Sequence, residues 1–211
     1  MIIETIDSEY ERNSKWCCGI VKGNDNCFFC LPFGAKYVLT INSSNDETTL
    51  AGEENNDYRQ WCYGFAQADF SYGISYRCNK LLKYNTKTEI SELVCDGLVD
   101  DYYGKWMSGA VADDGSLYSF PFNHKRILQF NPNGDTTIFV GKKIERVCKF
   151  SGIIKAKSGC MYSILSSASR VAKFYVATQN VTFIDDGLNR LVVSKRWMKI
   201  FTVFRVNIIN C

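Results

Sequence analysis

This sequence predicts an all-β fold: a β-propeller of four-stranded antiparallel blades, with four clear units and a degenerate fifth. Three observations lead there. Trp16-Cys17-Cys18-Gly19, Trp61-Cys62-Tyr63-Gly64 and Trp106-Met107-Ser108-Gly109 set their tryptophans 45 residues apart, twice over. Between them lie short runs of β-branched and aromatic residues bounded by Gly, Asn, Asp or Pro, the chemistry of short strands and tight turns. No helical period lasts longer than about two turns. One such unit cannot bury both faces of its own sheet; stacked copies can, which is the logic of a blade.

The units run 15–59, 60–104, 105–148 and 149–194. Each opens on its tryptophan, except the fourth, where Lys149-Phe150-Ser151-Gly152 carries the opening with the tryptophan lost. Gly19, Gly64, Gly109 and Gly152 are read as one repeated structural position. A polar turn follows, at Gly23-Asn24-Asp25-Asn26, Asp113-Asp114-Gly115 or Lys157-Ser158-Gly159. The second strand is Phe28-Phe29-Cys30-Leu31-Pro32-Phe33 in the first unit and Leu117-Tyr118-Ser119-Phe120-Pro121-Phe122 in the third. The third strand begins on a basic residue: Lys36, Lys80, Arg126 and Arg170. A Thr-rich strand closes each unit near Gly52, Gly97, Gly141 or Gly187. Residues 195–211, from Lys195-Arg196-Trp197-Met198, form the degenerate fifth unit or a basic apolar tail. The acidic segment 1–14 contains Ile2-Ile3-Glu4-Thr5-Ile6, a candidate closing strand. If the array does not close, Phe201, Val203, Phe204, Val206, Ile208 and Ile209 make a terminal edge through which copies associate, or the chain is a fragment of a larger propeller.

Composition narrows the function. The 211 residues are 46% hydrophobic and 22% charged, an ordinary globular balance. The net charge of +3 is split between an acidic start and a basic end, so no basic stripe marks a nucleic-acid interface. Met1-Ile2-Ile3-Glu4 lacks a basic, apolar leader, and no stretch is apolar enough to span or insert into a membrane. A cytoplasmic chain with mostly reduced cysteines is therefore expected, despite ten of them. The single histidine excludes every metal site that needs two.

The third unit is the best preserved. Gly109-Ala110-Val111-Ala112-Asp113-Asp114-Gly115-Ser116-Leu117-Tyr118, then Asn123-His124-Lys125-Arg126-Ile127-Leu128-Gln129-Phe130, resembles an NHL-type blade. The broader pattern, Asp-Gly-x-Leu-Tyr followed by Arg-Ile-Leu, is similar to the group of virginiamycin B lyase-like and TolB-like propellers. The likeness covers about residues 15–187. It implies a propeller whose lyase members use a histidine on the turn-and-link face, with a metal and acidic ligands. His124, in the turn before the third strand, is the one residue that could take that role here.

The chemistry-bearing residues each have two readings. In an antiparallel blade the turn between strands two and three lies on the same face as the link between blades. Lys36, Lys80, Arg126 and Arg170 would therefore ring one face, capturing an anionic ligand or acidic peptide. Alternatively they pair with acids of the neighbouring links: Glu53, Glu54 and Asp57, then Asp96, Asp100 and Asp101, then Glu145, then Asp185 and Asp186. Trp16, Trp61 and Trp106 are read as core between blades. Cys27-Phe28-Phe29-Cys30 sits in a strand, where residues three apart point to opposite faces, so no metal is expected. His124 is read as an exposed turn residue. No phosphate-binding glycine motif is present, and no cofactor is expected. The function expected is a non-catalytic module presenting loops to a protein or peptide, with a propeller lyase or hydrolase as the alternative.

Overall fold

The computed structural model describes residues 15–16, 20–23, 26–57, 59–99, 102–145, 150–165 and 170–185, with Ile164, Leu165, Arg170 and Asp185 described by their backbone alone. Gly19, Cys17-Cys18, Gly187, the candidate closing strand at 1–14 and the degenerate unit at 195–211 lie outside the described residues.

The described residues form sixteen strands in four antiparallel sheets of four, with no helix. The first sheet holds β1 (Ile20–Lys22), β2 (Cys27–Cys30), β3 (Val38–Asn42) and β4 (Glu47–Ala51). The second holds β5 (Trp61–Gln67), β6 (Phe70–Ser75), β7 (Leu81–Asn85) and β8 (Ser91–Val94). The third holds β9 (Trp106–Val111), β10 (Leu117–Pro121), β11 (Ile127–Asn131) and β12 (Thr136–Val140). The fourth holds β13 (Phe150–Lys155), β14 (Met161–Leu165), β15 (Arg170–Tyr175) and β16 (Asn180–Asp185). In every sheet the spatial order is the chain order, because tight turns join consecutive strands. The first strands neighbour one another in series, β1 by β5, β5 by β9 and β9 by β13, while β13 makes no comparable contact with β1.

The ladders align the blades residue by residue. Val21, Phe65, Ala110 and Ile154 are equivalent on the first strands, and they pair with Phe29, Tyr72, Tyr118 and Tyr162. Val38, Leu81, Ile127 and Val171 are equivalent on the third strands, and they pair with Ala51, Val94, Val140 and Ile184. These positions share one face of each sheet.

That register corrects two sequence equivalences. Gly64 and Gly109 share their slot with Ile20 and Ile153, because their partners on the second strand are Gly73, Ser119, Cys30 and Ser163. Gly152 falls one residue earlier, in the slot of Ser108. Likewise Tyr37 precedes β3 as Lys80 precedes β7 and Arg126 precedes β11. Lys36 lies one residue further back, beside Lys125 in the third blade. The second, third and fourth blades share a bulge just after the start of the first strand, so the offset lies in the sequence itself: Gly64 and Gly109 follow their tryptophans by three residues, whereas Gly152 follows Phe150 by two. Trp61 pairs with Ser75 but Tyr63 with Ile74, and Phe150 pairs with Leu165 but Gly152 with Ile164. The extra residue re-aims the chain in each of these blades alike.

Apolar residues meet at three junctions. Val21, Phe29, Leu31 and Val38 pack against Trp61, Leu82 and Tyr84 of the second blade. Phe65, Tyr72, Ile74 and Leu81 pack against Trp106, Leu117, Leu128 and Phe130 of the third. Tyr118, Phe120, Ile127 and Val140 pack against Phe150, Met161, Ala172 and Phe174 of the fourth. The core is therefore between sheets, as a blade stack requires.

Candidate functional site

The face that carries the links and the second-to-third-strand turns is built from a repeated backbone device. The carbonyl just before each tryptophan receives the amides of the turn. Lys15 O accepts from Phe33, Gly34 and Ala35, Gln60 O from Tyr76 and Arg77, and Lys105 O from Phe122 and His124. Each indole then donates to the residue that precedes the third strand. Trp16 Nε1 reaches Tyr37 O at 3.0 Å, Trp61 reaches Lys80 O at 3.2 Å and Trp106 reaches Arg126 O at 3.1 Å. The link, the turn and the first strand are thus fixed to one another before any loop side chain is added.

The basic residues sit on this face, and acids of the links meet them. Lys36 pairs with Glu54 at 2.5 Å, Lys80 with Asp96 at 2.6 Å and Lys125 with Glu145 at 3.1 Å. Hydrogen bonding to Asp96 raises the pKa of Lys80, and hydrogen bonding to Glu145 and Tyr102 raises that of Lys125. In the third blade the paired cation is Lys125, whereas the sequence alignment pointed to Arg126. The Arg126 amide donates to His124 Nδ1 at 3.0 Å. Arg170 opens β15 opposite Asp185 in the ladder.

His124 is buried, not an exposed turn residue. Its ring lies 4.5 Å from Trp106, 4.8 Å from Phe139 and 6.2 Å from Tyr102, centroid to centroid. Phe139 comes from the outermost strand, which no local sequence pattern connects to the turn. Lys105 is the second surprise. Its fully buried ammonium donates to Asn79 Oδ1 at 2.5 Å, Leu98 O at 2.6 Å and Cys78 O at 3.2 Å. It ties the second blade's turn and link to the start of the third blade. Three neutral acceptors satisfy the charge that burial would otherwise penalise.

Beside these structural groups is a partly open cluster that sequence reasoning missed. Phe33 and Tyr76 meet edge to face at 5.4 Å, and Tyr76 and Tyr103 at 5.5 Å. Arg59 donates to the Tyr103 hydroxyl at 2.6 Å and lies 6.0 Å from the Phe33 ring. The exposed Arg77 guanidinium lies 5.7 Å from the Tyr103 ring. The three rings come from the first turn, the second turn and the second link, so the cluster crosses blades. Its sequence signal was Tyr76-Arg77 and Tyr102-Tyr103 flanking the repeat frame, outside the positions that repeat.

Two cavities among the described residues lie between blades. One of about 120 Å³ lies between the first two blades and is lined by Pro32, Val38, Trp61 and Leu93 with Glu53 and Glu54. The other, about 400 Å³ and open, lies between the third and fourth blades beside Asp113, Asp114, Cys160 and Tyr175. Asp113 there pairs with Lys155, and Asp114 accepts the Ser116 amide. No cluster of three His, Cys, Asp or Glu residues fit to hold a metal occurs among the described residues. Cys27 and Cys30 are free thiols, and burial raises the pKa of Cys30.

Solved structures with this arrangement are numerous. The chain superposes on Kuenenia stuttgartiensis hydrazine synthase with a TM-score of 0.62 at 11% identity, covering 86% of this chain and 53% of that one. It superposes on virginiamycin B lyase from Staphylococcus aureus with a TM-score of 0.64 at 12% identity, covering 80% and 55%. This chain carries the β-propeller fold. A third propeller neighbour is the extracellular domain of the putative hybrid two component system BT4673 from B. thetaiotaomicron, with a TM-score of 0.61 at 10% identity, covering 82% of this chain and 22% of that one. The chain thus spans about half the length of the first two propellers. No protein-family profile matches it, and no curated protein matches it in sequence. Among the described residues no helix is long and apolar enough to cross a membrane.

Proposed function

We propose that this propeller is a non-catalytic interaction module that presents its turn-and-link face to a protein or peptide. The observation that carries the reading is the half-open patch of Tyr76 and Tyr103, backed by the buried Phe33, with Arg59 and Arg77 laid against the rings. Aromatic and arginine side chains bring large contact area at low ordering cost, and they dominate the energetics of protein interfaces. The rim adds alternating charge through Lys36–Glu54 and Lys80–Asp96, which favours partner selectivity and encounter over raw affinity. Two guanidiniums on the rings favour an acidic peptide. The lyase reading needs a histidine that touches substrate, whereas His124 is enclosed by Tyr102, Trp106 and Phe139.

A random peptide library displayed on phage and selected on the immobilised full chain tests this. Acidic sequences are expected to enrich. Their binding is expected to fall at least tenfold on Arg77→Glu, with the melting temperature unchanged. Absence of enrichment, or enriched peptides indifferent to Arg77→Glu, would overturn the reading.

A further inference from the structure

Every blade has a forward face, which meets the next blade, and a backward face, which meets the previous one. Three forward faces and three backward faces are covered within this chain. Among the described residues, nothing covers the forward face of the fourth blade or the backward face of the first. Ile184 is 41% exposed, whereas its equivalent Val140, covered by the fourth blade, is 3% exposed. Ile154 is 47% exposed, whereas its equivalents Val21 and Phe65 are each 5% exposed. Tyr162 and Val171 are likewise half-buried where Tyr118 and Ile127 are buried. At the other end Phe28, Leu39 and Ile41 are half-buried, while Leu117, Leu128 and Phe130 in the same slots of the third blade are fully buried. Ile20 is 61% exposed in the slot that Gly64 and Gly109 fill.

Two of the three covered junctions also share a polar clasp near the outer edge. A third-strand residue of one blade meets the residue just before the outermost strand of the next. Lys83 Nζ pairs with Asp135 at 2.5 Å between the second and third blades. Gln129 accepts from Gln179 at 3.3 Å between the third and fourth. Asp46, Glu89, Asp135 and Gln179 are equivalent, each with positive φ just ahead of the outermost strand. The equivalents left over at the two open faces are Lys173 on the fourth blade and Asp46 on the first. They have the chemistry of the Lys83–Asp135 pair. Lys173 now lies against the Tyr162 and Tyr175 rings, 5.7 and 4.5 Å from their centroids, and Asp46 is exposed.

We infer that a second copy of this chain docks head to tail on these faces, with Lys173 of each copy meeting Asp46 of the other. The occupant follows from the repeat itself. What covers a forward face elsewhere in this molecule is the backward face of a blade, and a second copy brings one with a matching charge. With two head-to-tail junctions the four described blades of each copy make a ring of eight, a number that propellers adopt. This surface is separate from the turn-and-link patch.

The test is the solution mass of the full chain by light scattering, with charge-reversed variants. Wild type is expected at twice the chain mass at micromolar concentration. Lys173→Asp and Asp46→Lys set like charges across both junctions, and each is expected to weaken the dimer at least tenfold, at unchanged circular dichroism. Mixing the two variants makes one native and one reversed junction in the same ring, and is expected to restore the dimer. A wild-type monomer, whether or not residues 1–14 or 195–211 cover these faces, would overturn the inference. So would a dimer indifferent to both substitutions, or a mixture that fails to recover.

Discussion

Trp61 and Trp106 each do two jobs, and Trp16 shares the second. The rings of Trp61 and Trp106 fill junctions, and all three indole N–H groups hold the carbonyl that starts the third strand. The fourth blade supplies an internal control. Phe150 stands in the tryptophan slot, pairs with Leu165 as Trp106 pairs with Pro121, and is fully buried without a donor. Shape is therefore the larger contribution and the hydrogen bond the smaller one. Trp106→Phe is expected to cost about 1–2 kcal/mol, the worth of one buried hydrogen bond and a small volume loss. Trp106→Ala is expected to cost about 3–5 kcal/mol through the cavity it leaves. Urea unfolding midpoints at constant slope would separate them, and equal losses would show that the indole bond dominates. Tryptophan as core was legible in the sequence because it repeated. Lys105 and His124 were not, because their surroundings come from other elements, the turn at Asn79 and the link at Leu98 for Lys105 and the outermost strand at Phe139 for His124. A lone polar residue in a turn gives no local sign of being roofed over.

Strand number, strand order and turn positions were legible because each strand is short, β-branched or aromatic, and bounded by a turn residue. Register within the first strand was not. Phe150 takes the tryptophan slot but is followed by its glycine after two residues instead of three, so matching on the glycine slid the unit by one at Gly152. The two glycines consequently have opposite tolerances. A methyl group on Gly64 would lie 2.5 Å from Val21 Cγ2 and 3.0 Å from Leu31 Cδ1, both in the first blade. Neither branched side chain has room to retreat within the packed junction, so Gly64→Ala should push the first two blades apart. Its expected cost is about 1–3 kcal/mol, as for other overpacked sites. A methyl group on Gly152 would meet nothing within 4 Å. Gly152→Ala is expected to be neutral or to stabilise by about 0.4–1 kcal/mol, by narrowing the unfolded ensemble. Thermal melts of the two variants check the register directly. If they were destabilised alike, the equivalence of Gly152 with Gly109 would be restored.

At the scale of the whole molecule stability resides in the junctions, and one of them should fail at high pH. Tyr72 and Cys95 both lie at the junction of the second and third blades, near Asp135. Burial first and the Asp135 carboxylate second push the Tyr72 phenol up to about 12 from 10.0, and the Cys95 thiol up to about 12 from 9.0. Both groups are neutral when protonated, so the folded chain holds protons that the unfolded chain releases. Below pH 9 the two states bind these protons equally, and the full stability is present. Above pH 9 the unfolded state gains by ionising, first at cysteine and then at tyrosine. Stability therefore falls as pH rises, until the folded groups themselves ionise near 12. Lys83 adds in the same direction. Burial lowers its pKa, but hydrogen bonds to Asp135 and Glu92 outweigh that and leave it raised, so its share of stability also fades as the pH passes upward through its own titration. The expected record is a melting temperature that is flat from about pH 7 to 9 and then declines steeply. Cys95→Ala should soften the decline between pH 9 and 10 and leave the neutral region nearly unchanged. An identical decline in Cys95→Ala would mean that the thiol ionises in the folded chain as it does in the unfolded one, and that this junction does not exclude water from it.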